Sequence, residues 1–468
     1  MKIIIGLETH IQLSTKTKLF CRCATTSAEP NENTCPICLG FPGSKPSLNK
    51  KAVHYALMLA RALNCTINKE SFFSRKSYFY PDLAKNFQIT QYEIPIGTNG
   101  YMEITTGKRE KKRIRIRRIH LEEDPASLVY PTGSLETSPY VLMDYNRSGV
   151  PLCEIVTEPD FSTAAEARQY LNNLATILSY LNIFDESEAS MRTDANISIE
   201  GSERIEIKNI SGFKLAEKAL NYEIARQKTI INAGRKITRE TRHFDPLTGI
   251  TTSLRLKETE EDYGYIFEPD LASLSFDKEL LSKIEKAIPE LPDKKAQRFA
   301  SQYSLNETVV EILVSDKNLA DFFEECAKSY RDYSTLSRWI VIDLLKCLNW
   351  NKLTIKNSKI TPSLFLEFLN LMDSKRITER AGKELIKEWI QKGGSPTELA
   401  KKMQQLTDES FLMASIDKIL KNNEEALKNY KSGNQKALEF LVGEILKETR
   451  MRADPKRIRE LLLKKIEG

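Results

Sequence analysis

Between Ile4 and Leu13 apolar and polar side chains alternate with a period of two. This predicts a strand with Glu8, His10 and Gln12 on one face and Leu7, Ile11 and Leu13 on the other. A second strand is expected from Ile114 to Asp124, where His120, Glu122 and Asp124 share a face. Its apolar positions are even at Ile114 and Ile116 but odd at Ile119 and Leu121. One apolar face survives that change only if one residue is extra, so a β-bulge is expected near Arg117 or Arg118. Helical spacing takes over after Thr163, which stands three residues before Glu166 as a capping box. The stripe Ala167, Tyr170, Leu171, Leu174, Leu178 and Leu181 follows. Near the far end, Asp454 is expected to cap a helix that has Pro455 at its first position and Ile458, Leu461, Leu462 and Ile466 as its apolar stripe.

The texture changes around Pro289-Glu290-Leu291-Pro292. Before it, short β-branched runs such as Ala195-Asn196-Ile197-Ser198-Ile199 are broken by Gly, Pro, Asn and Asp. After it, long stretches carry helical spacing, and no glycine occurs until Gly382. The expected fold is α+β: an N-terminal mixed or antiparallel sheet with flanking helices, then an all-helical domain and a small helical tail. The break at Gly393-Gly394-Ser395-Pro396 puts the expected domains at 1–290, 291–400 and 401–468.

Composition narrows the class. Hydrophobic residues make up 41% of the 468 residues and charged ones 29%, the balance of a globular chain. No apolar run approaches membrane-spanning length and no secretion signal is visible, so a cytoplasmic location is expected. The net charge of +6 is mild, but residues 401–468 hold 15 basic against 11 acidic residues, so most of the excess lies in the tail. That tail reads either as a solvated helix surface or as a module that touches an RNA backbone.

Eight cysteines are too few for a disulfide scaffold in a chain of this length. Four of them form two short hooks, Cys21-x-Cys23 and Cys35-x-x-Cys38, separated by eleven residues. Two such hooks suit a tetrahedral Zn²⁺ held by four thiolates, and a closed site of that kind is structural. Cys65, Cys153, Cys326 and Cys347 read as ordinary buried residues.

The two acid-bearing strands suggest a second kind of chemistry. Should they meet, Glu8, His10, His120 and Glu122 would form a hard, oxygen-rich site with imidazole support, suited to Mg²⁺ or Mn²⁺. The plainer reading is a polar sheet face looking at water. Lys76, Lys85, Arg113, Arg115 and Arg117 are available to neutralise phosphates or simply to be solvated. The chain has no G-x-x-x-x-G-K-[ST], G-x-G-x-x-G or G-x-S-x-G motif, so a nucleotide would be held outside a P-loop.

A series of longer motifs carries a resemblance: Ile5-Gly6-Leu7-Glu8-Thr9-His10, Arg75-Lys76-Ser77-Tyr78-Phe79-Tyr80-Pro81-Asp82 and His120-Leu121-Glu122-Glu123-Asp124. They continue with Asp144-Tyr145-Asn146-Arg147-Ser148-Gly149, Glu154-Ile155-Val156-Thr157-Glu158-Pro159-Asp160, Asp194-Ala195-Asn196-Ile197-Ser198 and Phe440-Leu441-Val442-Gly443. In this order the chain resembles, over essentially its whole length, the B subunits of bacterial and archaeal aspartyl/glutamyl-tRNA amidotransferases. It departs from them at Gly264, at Glu186-Ser187-Glu188-Ala189 and at Pro125.

The resemblance implies a cradle-like catalytic domain and an ATP-dependent ligase acting within a heterotrimer. ATP would phosphorylate the side-chain carboxylate of Glu-tRNA(Gln) or Asp-tRNA(Asn), and ammonia would then displace phosphate. It further implies that Glu8, His10, His120 and Glu122 hold Mg²⁺ beneath the ATP phosphates. Glu123, on the opposite strand face, would join Lys76 and Lys85 in the polar route for ammonia. The implied partners are the family's amidase, which frees ammonia from glutamine, its small third subunit, and the misacylated tRNA, held by the helical and tail domains. A zinc-stabilised tRNA-binding adaptor without chemistry is the competing class. A metal-dependent hydrolase is a third, for which an open zinc site or paired-metal spacing is missing.

Overall fold

The computed structural model describes residues 1–26, 28–107, 110–133, 137–185, 191–255, 264–404, 409–449, 453 and 455–467. The chain forms two compact units, Met1–Pro292 and Asp293–Gly468. Among the described residues, strands occur only in the first, so the class is α+β as expected.

The first unit is built on a twelve-stranded sheet. In chain order its strands are β1 (Ile3–Gln12), β2 (Thr66–Ile67), β3 (Ser74–Ser77), β4 (Phe87–Thr90), β5 (Gly97–Thr105) and β6 (Lys111–Glu123). After these come β7 (Pro151–Thr157), β8 (Arg192–Ile199), β9 (Ile205–Ser211), β10 (Glu240–Asp245), β11 (Ile250–Arg255) and β12 (Gly264–Phe267). Their spatial order is β11-β10-β9-β8-β1-β7-β6-β4-β3-β12, with β5 on β6 and β2 on β5. All neighbours are antiparallel except β9 and β10, which makes the sheet mixed.

The centre of this sheet follows from patterning. On β1, Ile5, Leu7, Thr9 and Ile11 are buried while Glu8, His10 and Gln12 are partly open, which is the face division the alternation predicts. On β6 the pairing with β7 slips, so that Val156 faces Arg118 and Thr157 faces Ile116. Arg117 is therefore the extra residue of a bulge. By absorbing one position it keeps Ile114 and Ile116 in the core together with Ile119 and Leu121.

Three helices cover the apolar side: α1 (Lys50–Ala62), α2 (Ala164–Leu181) and α3 (Phe213–Asn232). Thr163 caps α2 by accepting from the Glu166 backbone N–H at 3.1 Å, and Glu166 reaches back to the Ser162 N–H at 2.7 Å. All six expected stripe residues of α2 are buried, and Asn182 ends the helix in the left-handed conformation.

The second unit is helical from Pro292–Tyr303 onward among the described residues. Trp339 and Trp389 are fully buried there. Helices Glu409–Asn422, Gln435–Glu448 and Pro455–Glu467 gather Leu412, Ile416, Leu441, Ile445, Ile458 and Leu462 into a cluster of their own. Pro455 opens the last helix as expected. The expected cap Asp454 and the departure at 186–189 lie outside the described residues.

Leu174 sits on the inner face of α2 with no exposed surface. Leu174→Ala should lower unfolding stability by about 2–5 kcal/mol in denaturant titration. Lys283→Ala, at a 71% exposed side chain, should change it by less than about 0.5 kcal/mol.

Candidate catalytic and metal centres

The cysteine hooks close on one another. Ligand atoms of Cys21, Cys23, Cys35 and Cys38 all lie within 4.8 Å of one another, and none is in a disulfide. The Cys35 backbone N–H points at Cys38 Sγ, 3.2 Å away. Beside them lies Lys18, wholly buried. Its Nζ donates to the carbonyls of Asn33 at 2.7 Å and Tyr145 at 3.0 Å, and to Cys38 Sγ at 3.5 Å. No carboxylate among the described residues pairs with this ammonium, so a thiolate is the anion left to balance it. In keeping with that, the hydrogen bond from Cys21, helped by Lys18, draws the Cys38 thiol down to about 4. Burial and Cys35 push Cys23 up to about 11. Four sulfurs at mutual contact, with a buried cation at hand to offset their charge, fit a four-thiolate Zn²⁺. Sequence reasoning missed Lys18, because nothing in its neighbours marks it as buried.

The acids gather by strand pairing. Across β1, β7 and β6 the register sets His10 opposite Glu154 and Glu154 opposite His120, while across β1 and β8 it sets Glu8 opposite Asp194. His10 Nε2 lies 3.4 Å from Glu122 and 3.6 Å from Glu154, and His120 Nε2 lies 3.2 Å from Glu154. The expected quartet of Glu8, His10, His120 and Glu122 is thus divided. His10 and Glu122 form one group with Glu154, and Glu8 forms a second with Asp194 and Glu206, each compact enough to hold one cation. His120 leans on Glu154, and its buried Nδ1 has no hydrogen-bond partner. Glu154, Asp194 and Glu206 carried no assigned role in the sequence reading. Glu154 left one signal, a single carboxylate in an otherwise apolar strand.

The first group sets two buried carboxylates against an imidazole. Burial pushes the Glu122 carboxyl up. Burial also opposes ionisation of Glu154, but His120 and His10 outweigh it and hold that carboxyl well below the usual range. The same contest at His10 is won by Glu154 and Glu122, which raise its imidazole to about 10. In the second group, Lys208 lies 3.3 Å from Asp194 and 3.7 Å from Glu206, and Asn196 donates to Glu8 at 2.9 Å. Oxygen-rich sets with at most one imidazole match Mg²⁺ or Mn²⁺ rather than zinc.

On the other face of β6, Glu123 accepts from Lys85 at 2.5 Å and from the Ile89 N–H at 2.9 Å, nearly out of reach of solvent. Lys76 does not join that pair; its charge acts on Glu122, on the side of the cation groups. Three of the four arginines of β6 face acids: Arg115 is bidentate on Asp160, Arg117 is bidentate on Glu158, and Arg113 approaches Glu103 at 3.6 Å. A cavity of about 200 Å³ opens beside Glu8, lined by Gly6, Arg117, Pro159, Asn196 and Arg204.

Comparison with known proteins finds relatives over nearly the whole chain. A family model described as the GatB/GatE catalytic domain matches residues 3–282, and a GatB domain model matches 321–466. The B subunit of the aspartyl/glutamyl-tRNA(Asn/Gln) amidotransferase of Saccharolobus solfataricus is 45% identical, covering 99% of each chain. Those of Sulfolobus acidocaldarius and Thermotoga maritima are 46% and 43% identical, also over 99% of each chain.

Two outcomes follow from these centres. Chelator-washed protein should retain about one zinc per chain, and Cys35→Ser with Cys38→Ser should remove it; native protein well below one zinc by elemental analysis would contradict the four-thiolate site. A divalent cation that binds through His10 must displace a proton held up to about pH 10. Apparent Mn²⁺ affinity by calorimetry should therefore climb from about pH 6 to about pH 9, by roughly tenfold per unit; a flat profile would exclude His10 as a ligand.

Proposed function

Since the chain belongs to the family of aspartyl/glutamyl-tRNA amidotransferase B subunits, we propose that it is the ATP-using member of a glutamine-dependent tRNA amidotransferase complex. It converts Glu-tRNA(Gln), Asp-tRNA(Asn) or both to the amide. The observation that carries this reading is the cross-strand register, which brings two groups of carboxylates, one with an imidazole, onto a single sheet face beside a cavity.

A carboxylate does not yield to ammonia directly, because oxide is too poor a leaving group. In the proposed reaction a side-chain oxygen of the esterified amino acid attacks the γ-phosphorus of ATP and the bond to the bridging β,γ oxygen breaks, leaving ADP. Ammonia then adds to the acyl carbon of the resulting acyl phosphate, phosphate departs with one of the original carboxylate oxygens, and the nitrogen sheds a proton. Such phosphoryl transfer is chiefly positioning and charge neutralisation. His10, Glu122 and Glu154 would hold one Mg²⁺, and Glu8, Asp194 and Glu206 a second. When bound, these ions neutralise phosphate charge and activate the γ-phosphoryl group. Asn196 and Lys208 keep the second carboxylate set oriented, and His120 does so for Glu154. The cavity beside Glu8, bordered by Arg117 and Arg204, is the proposed seat of the nucleotide.

Ammonia is proposed to come from a partner amidase, which a small third subunit holds against this chain. It would pass the buried Lys85–Glu123 pair, which backs directly onto Glu122 across β6. A closed passage matters because ammonia released into water is protonated and loses its nucleophilicity. The basic tail from 401 onward would contact the tRNA backbone. A non-catalytic adaptor gives no reason to bury carboxylates that repel RNA.

In the reconstituted complex, Glu122→Gln and Glu8→Gln should each lower ADP and amide formation by about 10²-fold or more. tRNA affinity should stay within about twofold. Unchanged turnover in both variants would overturn the site assignment, and tRNA binding without any ADP in the native complex would favour the adaptor.

A further inference from the structure

The polar face of β6 does not end at Glu122. One pleat repeat further along, about 7 Å at the backbone, comes Asp124, 1% exposed. Its main chain is held from both sides: its N–H donates to the Val150 carbonyl at 2.9 Å and its carbonyl accepts from Gly149 at 2.8 Å. Arg192 donates to its Oδ2 at 2.6 Å. The other oxygen, Oδ1, is buried and accepts no hydrogen bond. Arg147 Nε lies 3.6 Å from it and donates instead to the Pro125 carbonyl at 2.9 Å, while its Nη2 donates to the Ala126 carbonyl at 2.6 Å.

A second carboxylate oxygen in the same state lies close by. Asp82 Oδ1 is buried without a hydrogen-bond partner, and both Asp124 and Arg147 act on this carboxyl. The turn that carries Asp82 is fastened to the strand end through its carbonyl, which accepts from the Ala126 N–H at 3.0 Å. Two desolvated carboxylate oxygens on segments tied together, with Arg147 acting on both but hydrogen-bonded to neither, leave acceptor capacity for a compact cation with several N–H donors.

We propose that Asp124 and Asp82 form the subsite for the α-ammonium of the esterified amino acid. The inference rests on the transamidation reading and deepens it by naming the group of the substrate recognised there. The α-amino group is the one cation an aminoacyl ester carries. The reacting side-chain carboxyl must lie over the Glu122 group, so the α-nitrogen of the same residue falls a few ångströms away, the spacing between successive side chains on one face of β6. Arg192 contributes as a positioning residue by fixing Oδ2, so that Oδ1 is the oxygen presented.

The test compares Glu-tRNA with glutaryl-tRNA, in which hydrogen replaces the α-amino group, in the full complex with glutamine and ATP. Loss of the charge should lower kcat/KM of the native complex at least about tenfold. Asp124→Asn and the more exposed Asp82→Asn should be slowed on Glu-tRNA by a similar factor, yet use the two substrates nearly equally. A purely structural role for either aspartate would slow both substrates alike and leave the tenfold preference in place, and that result would overturn the proposal. Equal use of both substrates by the native complex would also overturn it. Failure of the native complex to amidate Glu-tRNA and Asp-tRNA at all would instead overturn the reading beneath it.

Discussion

The structure depends on how the centre of one sheet tolerates buried carboxylates. Glu122, Glu154, Asp194 and Glu206 are each nearly closed to solvent, and burying carboxylates is costly unless cations or donors face them. The antiparallel register of β6, β7, β1 and β8 supplies those partners: His10 and His120 straddle Glu154, while Lys208 and Asn196 serve the second group. A shift of one residue in any of these pairings would send the acids into the apolar side. The bulge at Arg117 is the local adjustment that lets β6 keep both its isoleucines and its acids in place.

The cysteine loop connects to the same centre through the turn at 144–149. Lys18 donates to the Tyr145 carbonyl, Ser148 to the Cys38 carbonyl at 3.1 Å, and the Asn33 N–H to Asn146 at 2.8 Å. Gly149, held at φ +85°, accepts from Leu19 at 2.7 Å through its carbonyl and donates to Asp124 through its N–H. The cysteine loop in this position braces the strand end that carries Glu122, Glu123 and Asp124.

What was legible in the sequence was local. The face division of β1, the bulge in β6, the Thr163 cap and the stripe of α2 all follow from a few neighbouring residues, and each is present. The paired cysteine hooks were legible for the same reason, since thiolate spacing within each hook is a short-range property. The membership of the acid groups was not. Glu154 lies in a strand buried along its full length, Asp194 and Glu206 come from strands far along the chain, and only pairing across the sheet brings them to His10 and Glu8. Lys76 and Lys85 looked alike in sequence, yet a strand and a turn send them to opposite sides of β6.

The central claim is that the substrate's own carboxylate is phosphorylated before ammonia arrives. It is tested most directly with Glu-tRNA or Asp-tRNA whose side-chain carboxylate carries oxygen-18, turned over by the complete complex with ATP and glutamine. Mass analysis of the released phosphate should find one labelled oxygen for each amide formed. Amide accompanied by unlabelled phosphate would contradict the account, because ATP would then be hydrolysed without ever passing its phosphoryl group to the amino acid.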